Sequence, residues 1–119
     1  MVIMEIIAKP IDDITAVNVK GRVDSTTADS LTTSLCELVR SGAARLVIDL
    51  AEVSYISSAG FRTLLITERT VGQASGEMVL CGITGEMKRL FDLSGFSELF
   101  TILPNQDDAV AKLRTAGDA

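Results

Sequence analysis

A chain of 119 residues has room for one compact domain, and 47% hydrophobic residues give it the material for its own core. The net charge of −5, with Lys20, Arg22, Arg40, Arg45 and Arg62 scattered singly, argues against nucleic-acid binding and against a polybasic membrane patch. The chain has no histidine, and Cys36 and Cys81 lie far apart in apolar stretches, so buried thiols are expected, with no metal site and no cofactor.

Two strands open the chain, Ile3 to Ala8 and Ile14 to Lys20. In the second, Thr15, Val17 and Val19 alternate with Ala16, Asn18 and Lys20, the period of a half-buried strand. Pro10-Ile11-Asp12-Asp13 between them is too short for a crossover helix, so the two strands are expected to be antiparallel neighbours. Gly21 to Thr27 leads into a helix for which Asp24 or Ser25 can supply the capping oxygen. Its apolar stripe is Ala28, Leu31, Leu35, Leu38 and Val39, and Ser41-Gly42 stops it.

Arg45 to Leu50 reads as a strand buried on both faces, as in a parallel sheet, with Val53 to Ile56 as the loop after it. A second helix is expected from Ser58 to Val71, with Phe61, Leu64 and Leu65 marking its faces. Met78 to Cys81 is a further buried strand. The third helix carries Met87, Leu90, Phe91 and Leu93 as its apolar residues and ends at Gly95. Phe100 to Leu103 is a last strand, and a fourth helix follows Pro104, with Val110 and Leu113 inward and residues 116–119 as a frayed tail. The order β-β-α-β-α-β-α-β-α predicts an α/β fold with a mainly parallel sheet and an antiparallel N-terminal edge strand.

The start of the chain has no basic region of the kind that opens a secretory signal, and no apolar run approaches the ~18 residues that cross a bilayer. A cytoplasmic protein without membrane insertion is expected.

Catalytic chemistry finds little support. A serine nucleophile needs a base beside it, and there is neither a histidine nor a Gly-x-Ser-x-Gly elbow around Ser58. Asp12-Asp13 and Asp107-Asp108 read as solvated turn and helix-start residues. Neither Gly72-Gln73-Ala74-Ser75-Gly76 nor Gly82-Ile83-Thr84-Gly85 has the lysine of a nucleotide-binding loop. A response-regulator receiver is excluded because no helix fits between the first two strands. The chain is therefore expected not to be an enzyme.

Tyr55-Ile56-Ser57-Ser58-Ala59-Gly60-Phe61 stands apart, because it places a serine on the first turn of a helix near unpaired backbone N–H groups. Local physics leaves two readings open: helix capping, or a phosphoacceptor whose added charge the helix terminus tolerates. Gly60 is a poor helix former and makes sense where something approaches the backbone closely.

Four segments together resemble the STAS domain, and within it the anti-sigma factor antagonists. They are Gly21-Arg22-Val23-Asp24 with Ala28 and Leu31; Val47-Ile48-Asp49-Leu50 with Val53; Ile56 to Phe61 with Leu64-Leu65; and Gly95 to Phe100. The resemblance covers nearly the whole chain, 1–119, read as a single STAS domain with about five strands and four helices. It implies an antagonist that binds an anti-sigma factor, itself a serine kinase, and thereby frees a sigma factor. Phosphorylation ejects the antagonist, and a PP2C-type phosphatase resets it.

By motif position Ser58 is the acceptor, with Ser57 as the second candidate, and Asp24, Ser25, Ser57, Ser58, Ala59, Gly60 and Phe61 form the partner-binding face. Ser57 stands where the family motif has aspartate, and Ala59 where it has a second hydroxyl residue. Two rival readings are a STAS subunit of a lipid-transport ABC complex and a small-ligand or nucleotide-sensing STAS module.

Overall fold

The computed structural model describes residues 4–117. Ile3, expected to begin the first strand, and Asp118 and Ala119 of the expected tail lie outside the described residues. Five strands form one sheet whose spatial order is the chain order. β1 (Met4–Ile11) pairs antiparallel with β2 (Ile14–Val23), and the remaining pairings are parallel: β2 with β3 (Arg45–Ile56), β3 with β4 (Glu77–Cys81), and β4 with β5 (Thr101–Leu103). The helices are α1 (Ala28–Arg40), α2 (Ser58–Gln73), α3 (Gly85–Ser94) and α4 (Gln106–Gly117), with a 3₁₀ turn at Phe96–Glu98.

The hairpin is tighter than the sequence suggests. Pro10 and Ile11 still pair, with Thr15 and Ile14, so the turn is only Asp12-Asp13, with Asp12 in the left-handed region at φ 58°. Pro10 is tolerated because β1 is an edge strand.

The expected loop at Val53–Ile56 is strand instead. β4 pairs only with Arg45–Asp49, so the second half of β3 is bonded on one side alone, to Lys20–Val23 of β2. A strand with one free edge carries polar residues such as Glu52 and Ser54, and its composition reads as a loop. Register shifts near Asn18 and Gly21 mark this β2–β3 extension, where Gly21 has φ 97°.

The two faces of the sheet are covered unequally. On one side α1, α2 and α3 pack over Val17, Val19, Leu46, Ile48, Leu50 and Leu80, with Leu31, Leu35, Leu64 and Phe91 fully buried. Strand order that follows chain order, with right-handed crossovers, puts these connecting helices on one face. On the other side, among the described residues, α4 is the one helix, and it sets Ala109, Val110 and Leu113 against Ile14, Ala16, Val47, Val79 and Cys81. Both cysteines are free and buried. Of the four apolar residues of α3 only Phe91 is buried, and Leu90 and Leu93 are exposed.

Candidate functional site

The site lies at the ends of two parallel strands. β2 ends at Val23 and β3 at Ile56, and the chain leaves them through Asp24–Thr27 into α1 and through Ser57 into α2. The Ser57 N–H donates to the Val23 carbonyl at 2.9 Å, which ties the two exits together. The starts of α1 and α2 therefore lie side by side.

The first exit is a turn held by Asp24. Its carboxylate accepts from the Thr26 N–H at 2.9 Å and from the Thr26 hydroxyl at 2.6 Å, with Arg22 Nε at 3.5 Å. These Thr26 bonds, with Arg22 beside them, hold the Asp24 carboxyl below its usual range. The expected capping role is thereby corrected. The residue before α1 is Thr27, which makes no side-chain cap bond, and the Thr27 hydroxyl instead accepts from the Asp24 N–H at 3.0 Å. Asp24 organises the turn and not the helix end, and Ser25 is exposed beside it. The Arg22 guanidinium also lies 4.6 Å from the Tyr55 ring centroid, across the β2–β3 extension.

At the second exit the two serines differ. Ser57 is the N-cap of α2, but its hydroxyl makes no cap bond, and Oγ is buried without a partner among the described residues. Ser58 is the first helical residue and is exposed. Capping by a serine hydroxyl, one of the two readings left open by the sequence, does not occur here.

Ala59 is half-buried, and Gly60 is buried against the sheet. A Cβ on Gly60 would lie 2.5 Å from Ile56 Cγ1 and 2.8 Å from Val23 Cγ1, so the group that approaches this backbone belongs to the chain itself. Phe61 also turns inward, with its ring centroid 4.9 Å from that of Phe91 and 4.8 Å from that of Phe96. Of the residues expected to form one face, Ser58 and Ala59 reach the surface of α2, Asp24 and Ser25 sit on the adjoining turn, and Gly60 and Phe61 serve the packing beneath.

Ser58 stands on the lip of a groove of about 520 Å³ between α1 and α2, lined also by Asp29, Thr32, Arg62 and Ile66. Its floor is a polar seam. The Thr32 and Thr63 hydroxyls are 2.8 Å apart, and the Thr63 hydroxyl donates to the Ala28 and Ala59 carbonyls at 3.2 Å each. Asp29 and Arg62 were not singled out from the sequence. The available signal was their spacing, since Arg62 is four residues after Ser58. Among the described residues no cluster of three or more His, Cys, Asp or Glu could hold a metal, and no helix is long and apolar enough to cross a membrane.

The STAS domain model matches residues 5–109 of this chain. The chain belongs to the STAS domain family. Among its relatives is a candidate anti-sigma factor antagonist, BtrV, of Bordetella bronchiseptica, 34% identical over 113 residues, 95% of this chain and 97% of that protein. The anti-sigma-B factor antagonist of Listeria monocytogenes is 34% identical over 85 residues, 71% of this chain and 74% of that protein. The crystal structure of an anti-sigma factor antagonist from Mycobacterium paratuberculosis superposes with a TM-score of 0.85 at 27% identity, covering 93% of this chain and 94% of that one. The five-stranded sheet with its antiparallel edge strand and four helices is thus the STAS fold that the sequence motifs suggested.

Proposed function

We propose that this STAS domain is an anti-sigma factor antagonist that works by partner switching, with Ser58 as its phosphoacceptor. Unphosphorylated, the face around Ser58 binds an anti-sigma factor that is also a serine kinase. The kinase transfers the γ-phosphoryl group of a nucleoside triphosphate to Ser58 Oγ. The new P–O bond replaces the Oγ–H bond, the proton passes to solvent or a kinase base, and the nucleoside diphosphate leaves. The phosphorylated chain is released, and a PP2C-type phosphatase hydrolyses the ester.

The observation that carries this reading is the contrast between the two serines. Ser58 is exposed at the start of α2, on the lip of the α1–α2 groove, whereas the Ser57 hydroxyl is buried. A kinase reaches the first and not the second. The names of the relatives support the sigma-factor setting.

A phosphate adds a charge of roughly −1.5 to −2. Burying that charge in an interface without a partner cation costs about 3–5 kcal/mol by comparison with other unpaired buried charges. This weakens affinity by roughly 10²–10³-fold or more, enough to release a partner without unfolding the domain.

Intact and tandem mass spectrometry of the chain from its native cells tests the assignment. One phosphate mapped to Ser58 is expected, and Ser58→Ala should abolish it. A chain that stays unmodified across growth and stress conditions, or a phosphate on Ser57, overturns it. Against the kinase recovered with the chain, Ser58→Asp should bind more weakly while melting as the parent does.

A further inference from the structure

Arg62 stands one helical turn after Ser58, and both line the groove between α1 and α2. Residues four apart are neighbours on a helix surface, and side chains lean toward the helix N-terminus. The Arg62 side chain therefore leans toward the turn that Ser58 begins. An anion followed four residues later by a cation is also the favourable order along a helix. Among the described residues Arg62 is exposed and makes no ion pair or side-chain hydrogen bond, whereas Arg22, Arg45 and Arg114 each pair with an aspartate. The other charged residue lining the groove is Asp29, in the first turn of α1.

We propose that Arg62 is the intramolecular receptor for a phosphate on Ser58, drawing the phosphomonoester into the α1–α2 groove. The proposal rests on the reading of Ser58 as the acceptor and adds how the modified state is held. A guanidinium presents a planar fork of donors that matches two phosphate oxygens, which an ammonium does not. Before modification the opposite charges of Asp29 and Arg62 leave the groove close to neutral. Afterwards the groove carries the whole phosphate charge, and Arg62 is engaged within the chain. Modification thus removes a free cation from the binding face as well as adding an anion. Asp29, facing the same groove from α1, opposes the capture.

The test places phosphoserine at position 58 by encoded incorporation or peptide ligation, so that no kinase is needed. The phosphate is then titrated by phosphorus NMR. Held by Arg62, it should titrate below the ~6 of an exposed phosphoserine. Arg62→Gln should raise the midpoint by about half a pKa unit, and Arg62→Lys should fall between the two. Asp29→Asn should lower it. Superimposable curves for the parent and Arg62→Gln overturn the proposal. Because the phosphate is installed directly, that outcome leaves the assignment of Ser58 as the native acceptor standing. An unmodified chain from native cells would remove that assignment and leave the titration result intact.

Discussion

Replacing Gly60 with alanine adds a methyl group 2.5 Å from Ile56 Cγ1, 2.8 Å from Val23 Cγ1 and 3.2 Å from Ile56 Cδ1. Val23 and Ile56 are the last residues of β2 and β3, and both are buried. They are β-branched and stiff at χ1, so neither can swing aside cheaply. Overpacking of this kind costs about 1–3 kcal/mol. The gain in helix propensity offsets at most ~1 kcal/mol, and less in a first turn. A net loss of about 1–2 kcal/mol follows. Unfolding entropy of about 2.1 cal/mol/K per residue gives roughly 250 cal/mol/K for this chain, so each kcal/mol moves Tm by about 4 °C. Calorimetric melting should therefore show Gly60→Ala about 4–8 °C below the parent. In an Ile56→Ala background the same change should cost less, because Ile56 Cγ1 and Cδ1 are gone and Val23 Cγ1 alone of the three nearest atoms remains. Gly72, in the same helix, is the control. Nothing lies within 4 Å of a Cβ there, so Gly72→Ala should gain about 0.5 kcal/mol. A Gly60→Ala variant melting at or above the parent would refute the packing argument.

Glu68 has an Oε2 that is buried without a partner among the described residues, and burial, with the Glu77 carboxylate adding to it, raises its pKa above the usual 4.5. The folded state then holds the proton more tightly than the unfolded state, so ionised Glu68 lowers stability above its folded pKa and is neutral in effect below about pH 4.5. Glu68→Gln should raise Tm at pH 7 and gain little at pH 4, and an equal gain at both would count against a charge effect. Burial pushes the Cys81 thiol up to about 12, with Asp49 adding to it. At pH 8 an aromatic disulfide reagent should modify Cys81 far more slowly in the folded chain than in denaturant, and labelling at the rate of a free thiol would contradict its burial.

The parts of the fold legible in the sequence are those where one physical demand dominates. Val47 and Ile48 are apolar because both faces and both edges of that stretch of β3 are covered, and Leu31, Leu35 and Val39 repeat because one side of α1 faces the sheet. The second half of β3 was hidden because one free edge admits polar residues. The capping role expected of Asp24 was a misreading, whereas the close approach expected at Gly60 is present but is made by the chain itself. Both residue types suit helix starts and close approaches, and only the three-dimensional arrangement shows that Asp24 binds Thr26 and that Gly60 meets Val23 and Ile56. The choice between Ser57 and Ser58 depends on burial at adjacent positions, which no local pattern encodes. Leu90 and Leu93 fit a helical stripe, yet α3 touches the core chiefly through Phe91, and which of its apolar residues is buried is not visible in the sequence.

The unequal cover of the sheet also ranks how readily its parts come loose. Among the described residues α4 is the last element and the sole helix on its face, and its detachment breaks the small cluster built on Ala109, Val110 and Leu113, the Gln106 bonds to Asn18 and Asp49 and the exposed Arg114–Asp12 pair. The starts of α1 and α2 are on the opposite face and keep their footing on Val23 and Ile56 when α4 is away. Deuterium should therefore enter the amides of α4 through a local opening that is cheaper than global unfolding, while the central residues of β3 and β4 exchange only when the whole domain opens.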